Sequence, residues 1–202
     1  MIDMSQENIV KALTRDLKAE PKLIGSFELK DKTLYVSDPS YGHRQYEILE
    51  DLISKDPAAG EPLFKRVENM KQGKYNVYAF YNPTRYGDAV VSLLIIHEEI
   101  PKDAPNLFFF EFYGAIPVDS GVVSVCPERL FEGWKTIPAK DAGFQEECST
   151  ISSNIDSVGV CERAPLVAVH SGDGTYSVST GVSEKEGTFA VLVEFLSDYW
   201  SY

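Results

Sequence analysis

The sequence predicts an α+β fold: one domain dominated by a mostly antiparallel β-sheet or sandwich, with an N-terminal helix and one or two further short helices. Two observations carry this. From Lys74 onward the apolar residues either alternate or form short β-branched runs separated by turn residues. Helical spacing is confined to the N-terminal stretch and to the middle of the chain. With 202 residues, a chain of this size buries roughly 70% of the surface it exposes unfolded, enough for one core without metal or disulfide. Residues 1–202 therefore read as a single domain, with a helix in 1–20 and a mainly antiparallel β core in 23–202.

In chain order, Ser5 can cap a helix that carries Ile9, Val10, Leu13 and Leu17 on one narrow stripe and ends at Pro21. The narrow stripe suits a helix lying on the outside of a larger body. Leu23–Leu29 and Thr33–Val36 read as strands joined by a short hairpin connection, Lys30-Asp31-Lys32. Ser37-Asp38-Pro39-Ser40-Tyr41-Gly42 is turn chemistry, and Tyr46–Ile53 has a one-sided helical stripe. Leu63–Met70 suits a helical turn.

Lys74–Tyr81 alternates, and Asn82–Asp88 suits a hairpin loop. Ala89–His97 (AVVSLLIIH) is apolar on both faces, as a central strand must be. Asn106–Tyr113 (NLFFFEFY) reads as its antiparallel neighbour, with Val91, Leu93, Ile95, Phe108, Phe110 and Phe112 mostly buried. Ile116–Val125 is strand-like but interrupted at Asp119-Ser120-Gly121. Pro127–Trp134 and Lys140–Cys148 suit short helices, and Ser149–Ser157 a loop. Leu166–Val169, Tyr176–Val182 and Thr188–Leu196 read as a three-strand meander.

Charge narrows the function. Lys plus Arg is 19 and Asp plus Glu is 31, giving 19 − 31 = −12. This disfavours nucleic acid and anionic lipid as partners, and suits a protein partner with a basic surface or a cation. No apolar window is long enough to span a membrane, and the first twenty residues lack the apolar core of a secretory signal. Cys126, Cys148 and Cys161 are odd in number and match no zinc spacing, which suits semi-buried thiols in a reducing cytoplasm.

Catalytic motifs are scarce. No GxSxG elbow, phosphate-binding glycine loop or dinucleotide fingerprint occurs. His170 precedes Ser171 directly, and neighbours on a strand point to opposite faces. The aromatic run Phe108-Phe109-Phe110 reads as core, whereas Tyr75, Tyr78, Tyr81 and Tyr86 offer a recognition patch, with about half of them facing the core by alternation. Three turns place an Asp beside small residues: Asp38 in SDPSY, Asp119 in VDSG and Asp173 in GDGTY. Such carboxylates either fix their own turns or converge on a cation or polar ligand.

Taken in order, SDPSY, Gly73-Lys74-Tyr75, VDSG, GDGTY and a final apolar strand ending near Glu194-Phe195 resemble the bacterial and phage family known as domain of unknown function 4241. His170-Ser171 leads straight into Gly172-Asp173 where that family has a longer glycine-rich run, and Ser177 stands where it often has proline. The family has no agreed activity. The resemblance implies a bacterial or phage setting and a shared role for Asp38, Asp119 and Asp173.

The expected function is a non-enzymatic binding or interaction protein, similar to immunity proteins or phage inhibitors, acting on a partner with a basic surface. The alternative is a ligand or cation site, hydrolytic if catalytic at all, built from Asp38, Tyr41, Asp119, Ser120, Asp173 and Tyr176. No catalytic residue and no cofactor is assigned.

Overall fold

The computed structural model describes residues 6–40, 55, 63–84, 87–102, 110–130, 143–153, 157–161 and 166–195. Two antiparallel sheets lie face to face. One has six strands: β1 (Glu20–Leu29), β4 (Gly73–Thr84), β5 (Gly87–His97), β11 (Gly187–Glu194), β10 (Gly174–Ser183) and β6 (Glu111–Val118), in that spatial order. The other has five: β3 (Phe64–Val67), β2 (Leu34–Ser37), β7 (Val122–Pro127), β9 (Val167–His170) and β8 (Val158–Val160). Helix α1 (Gln6–Leu17) covers the outer face of the six-stranded sheet, and α2 (Gly143–Ser152) packs on the five-stranded one.

This layering explains the apolar runs. In β5, Leu93 and Ile95 enter the core between the sheets, and Leu94 and Ile96 enter the cluster under α1 with Ile9 and Val10. A strand covered on both faces has no polar side, so its sequence shows no alternation. In β4, Tyr75, Val77, Ala79 and Tyr81 share the inter-sheet face, and the bulge opposite Phe80/Tyr81 is taken up in β5, where Val91 is the extra residue. Helix α1 is pinned by Gln6, whose amide donates to the His97 carbonyl (2.5 Å) and accepts from Asn76 (2.9 Å). Lys18, at φ 51°, breaks the helix before β1. The helix is thus shorter than the expected 1–20, and Pro21 sits inside β1, a sheet edge where its missing N–H is tolerated.

Several local expectations are corrected. Lys30-Asp31-Lys32 does not close a hairpin: β1 pairs with β4, and β2 pairs with β3 and β7 in the other sheet. The segment Leu63–Met70 contains strand β3 in place of a helical turn. Asn106–Tyr113 is not the neighbour of β5, whose two sides are taken by β4 and β11. Strand β6 begins at Glu111 and forms the sheet edge beside β10. Phe112 is accordingly 71% exposed, Phe110 is half-buried, and Phe108 lies outside the described residues.

Ser149–Ser152 continues α2 and is not loop. The meander is a hairpin only: β10 and β11 pair from Ser177↔Glu194 to Ser183↔Gly187, while β9 lies in the other sheet between β7 and β8. Residues 128–130 are helical, and Tyr46–Ile53 lies outside the described residues, as does Ser5.

The hairpin tip is fixed to the rest of the molecule. Thr188 donates its N–H to the Asn69 carbonyl (2.8 Å) and accepts at its own carbonyl from Lys71 N–H (2.8 Å). Gly187 sits at φ +85°, and a Cβ there would meet the Asn69 carbonyl oxygen at 2.2 Å. Gly172 has a similar φ, +81°, but its nearest neighbour would be 3.8 Å away. Gly172→Ala should therefore cost about 1 kcal/mol from the left-handed backbone alone. Gly187→Ala adds a collision with backbone and should cost more than about 3 kcal/mol. Urea unfolding of the two variants side by side checks this ordering.

The core also sets an alkaline limit. Cys126 is fully buried, and burial pushes its thiol up to about 12 from 9.0. Burial raises the Cys148 thiol and the Tyr75 hydroxyl in the same direction. A group raised in the folded state favours folding fully below its unfolded value, and that contribution is lost as pH climbs through the folded one. Unfolding free energy should thus fall from about pH 9 towards pH 12. Cys126→Ala should give a shallower pH slope, read by denaturant titration at several pH values.

Candidate functional site

The three Asp turns meet at one end of the sandwich. Strand β2 stops at Ser37, which pairs with Ser124 of β7, and the Ser124 hydroxyl donates to the Ser37 carbonyl (3.1 Å). The next residue, Asp38, is completely buried. Its Oδ1 accepts from Ser40 N–H (2.7 Å) and from the Ser120 hydroxyl (2.6 Å). Its Oδ2 accepts from the N–H groups of Asp119 and Ser120, both at 2.7 Å. These four bonds, two to each oxygen, are charge-assisted and short, and they compensate the lost hydration of the carboxylate.

The interruption in Ile116–Val125 is the place where the chain leaves one sheet for the other: β6 ends at Val118 and β7 starts at Val122. Asp38 holds that crossing. The Gly121 carbonyl then accepts from Ser171 N–H (2.8 Å) and Gly172 N–H (3.1 Å), tying the third turn to the second. Tyr176 closes the group by donating its hydroxyl to the carbonyls of Ser171 (2.9 Å) and Gly172 (2.8 Å). Its ring is buried edge-on against Phe195, with centroids 5.1 Å apart. Burial pushes the Tyr176 hydroxyl above its ordinary value.

The predicted residues thus divide by environment. Asp38 and Ser120 are hydrogen-bonded to each other across two turns, while Tyr176, buried like Asp38, bonds the carbonyls of its own turn. Asp119 and Asp173 are exposed. Asp173 Oδ1 and His170 Cε1 would lie 3.7 and 3.6 Å from a Cβ on Gly121, so both side chains stand over that glycine. Tyr41 lies outside the described residues. Among the described residues no three His, Cys, Asp or Glu side chains are grouped to hold a metal ion. Of the tyrosines expected to offer a recognition patch, Tyr75 is core, Tyr78 and Tyr81 are half-buried, and Tyr86 lies outside the described residues.

A second region escaped sequence reasoning. A groove of about 730 Å³ runs between the start of β6, the β10–β11 tip and the segment 68–72. Tyr113 and Val182 line it and are 43% and 38% exposed, and Phe112 stands beside Tyr113 on β6. Glu68, Glu111, Glu184 and Glu186 line it against two bases, Lys32 and Lys71. Lys71 is engaged by Glu186 at 2.5 Å, and Glu68 by Arg66, leaving Glu111 and Glu184 without ion-pair partners among the described residues. The only available signal was Glu111 within an otherwise apolar run, and it does not distinguish an edge strand from a central one.

No family model, curated protein or solved structure matches the chain.

Two substitutions separate the inward carboxylate from the outward one. Asp38→Asn places an NH₂ against donors whichever way the amide turns, and should cost about 2–4 kcal/mol, a fall in Tm of about 5–15 °C. Asp173→Asn keeps the turn and should stay within about 0.5 kcal/mol of the native chain. Thermal unfolding followed by circular dichroism measures both.

Proposed function

We propose that the protein is a non-enzymatic interaction protein that engages a partner with a basic surface through the face formed by β6 and the β10–β11 tip. The observation that carries this reading is the exposure of Phe112, 71%, on the edge strand β6, whose residues on either side of it, Glu111 and Tyr113, line the acidic groove. Large apolar side chains held in the open by regular structure, with a polar rim, suit an interface more than a solvated surface. The net charge of −12 favours a basic partner and speeds encounter with it.

The Asp turns are better read as structure. All four bonds to Asp38 come from the protein itself, so a ligand would have to displace one of them. Under this reading the resemblance to domain of unknown function 4241 reflects a shared way of crossing between sheets, with SDPSY and VDSG as its two halves.

Phe112→Ser removes an exposed ring and should leave stability within about 0.5 kcal/mol. Affinity purification from the native host should recover a stoichiometric basic protein with the native chain and lose it with Phe112→Ser. Equal recovery by both chains, or recovery of no stoichiometric protein by either, overturns the reading.

A further inference from the structure

His97 ends β5 as a buried imidazole, 4% exposed, and both of its ring nitrogens face backbone groups. Nε2 lies 3.1 Å from the Gln72 carbonyl oxygen. Nδ1 lies 3.0 Å from the Glu99 amide nitrogen and 2.9 Å from the Glu99 carbonyl oxygen. The ring is clamped in this position. Tyr75 meets it edge-on, with centroids 5.1 Å apart, and a Cβ on Gly73 would stand only 2.5 Å from Nε2. A carbonyl can only accept, so the proton of the neutral ring sits on Nε2 and Nδ1 accepts from the Glu99 N–H. The Nδ1 lone pair then also faces the Glu99 carbonyl oxygen, which is unfavourable. A proton on Nδ1 turns that contact into a charge-assisted bond and gives each nitrogen of the imidazolium its own carbonyl. In the same step the Glu99 N–H loses its acceptor.

The Glu99 carbonyl is already in use. It accepts from Lys71 Nζ (3.3 Å), which is joined to Glu186 at the β10–β11 tip (2.5 Å). The other charges facing this place among the described residues are the Glu99 carboxylate, 3.9 Å from Lys71, and the pair of Glu98 with Lys74 of β4 (3.2 Å). Tyr75 turns its hydroxyl to the carbonyls of Lys71 (2.6 Å) and Thr188 (3.3 Å). Helix α1 brings the neutral amide of Gln6 to the His97 carbonyl, while its Glu7 is paired with Lys11 (2.6 Å).

We propose that His97 is a proton-operated switch: one proton taken up at Nδ1 draws the Glu99 carbonyl away from Lys71 and leaves Lys71 to Glu186 at the β10–β11 tip. The proton comes from solvent, and no other covalent bond changes. An imidazolium and an ammonium that share one oxygen repel each other. Lys71 has the Glu186 carboxylate to move to, whereas the clamped ring has no second acceptor for Nδ1. Histidine is the side chain whose charge suits such a device between about pH 5 and about pH 8. The switch is built into the fold and needs no partner, so it stands or falls apart from the interaction reading.

Nuclear magnetic resonance of the whole protein between about pH 8 and about pH 5 tests it. The ring nitrogen shifts should place the proton on Nε2 at the upper end and show Nδ1 gaining one as pH falls. With the same midpoint, Glu99 amide exchange, corrected for the intrinsic effect of pH, should quicken at least about fivefold through the loss of one hydrogen bond. The amides of Glu186 and Thr188 should shift along with it. Lys71→Met should keep the ring and Glu99 responses and lose the response of the tip. His97→Gln cannot titrate and should lose all of them. Three results overturn the proposal: a proton on Nδ1 in the neutral ring, a corrected Glu99 exchange rate that stays constant over the range, or tip amides that follow the ring in Lys71→Met as they do in the native chain. If His97→Gln fails to fold, the native chain and Lys71→Met decide between these outcomes.

Discussion

The carboxylate of Asp38 sits where the chain must change sheets, and the arrangement of the two sheets at that end depends on it. A buried charge is tolerated only when its lost hydration is replaced, and four donors at 2.6–2.7 Å replace it here. Two of those donors are consecutive backbone N–H groups of the corner between β6 and β7, which no strand partner could satisfy while the chain turns from one sheet to the other. The carboxylate therefore solves the corner's hydrogen-bonding problem and its own. The Gly121 carbonyl passes the constraint on to Ser171 and Gly172, and Tyr176 passes it back into the core beside Phe195.

With the corner fixed, the layers follow from burial. Leu93, Ile95, Val191 and Val193 face the five-stranded sheet, while Leu94, Ile96, Ala190 and Leu192 face α1. A central strand that is apolar on both faces needs cover on both, and α1 supplies the outer cover with Ile9 and Val10. On the opposite side α2 places Cys148 against Cys126 and Ala168, which accounts for thiols that are small, buried and inert. Cys161 is half-buried, and its thiol donates to the Glu147 carboxylate at 3.7 Å.

What the sequence discloses tracks how local the cause is. Ala89–His97 reads as a central strand because its burial is written in every residue, and Ser183–Gly187 reads as a hairpin turn because turn chemistry is local. The convergence of SDPSY, VDSG and GDGTY is visible as three similar turns, although not the use to which Asp38 is put, since a carboxylate that binds its own turn and one that binds a distant corner look alike in sequence. Sheet membership is the part that sequence hides. Lys30–Lys32 and Ser171–Asp173 are good hairpin loops by composition, yet both carry the chain between sheets, because Asp38, Gly121 and the 69–71 segment supply bonds that no local pattern announces. Phe112 misleads for the same reason: an aromatic on a strand is core or surface according to which strand lies beside it, and that is a long-range fact.

Edges are where a sandwich must answer for its unpaired backbone, and this one answers differently at different edges. Strand β1 carries Pro21 on its exposed first half and packs Gly25 close to Val160 of β8 on its second. Strand β6 is covered by β3 in its middle, where the Tyr113 hydroxyl donates to the Arg66 carbonyl (2.6 Å) and Lys65 crosses Gly114. Beside the β10–β11 tip, Tyr113 and Val182 line a groove together with Glu111 and Glu184. Acidic side chains at such a place work against pairing between like-charged copies of the chain, so the same residues that shape the groove also guard the sheet against association through it.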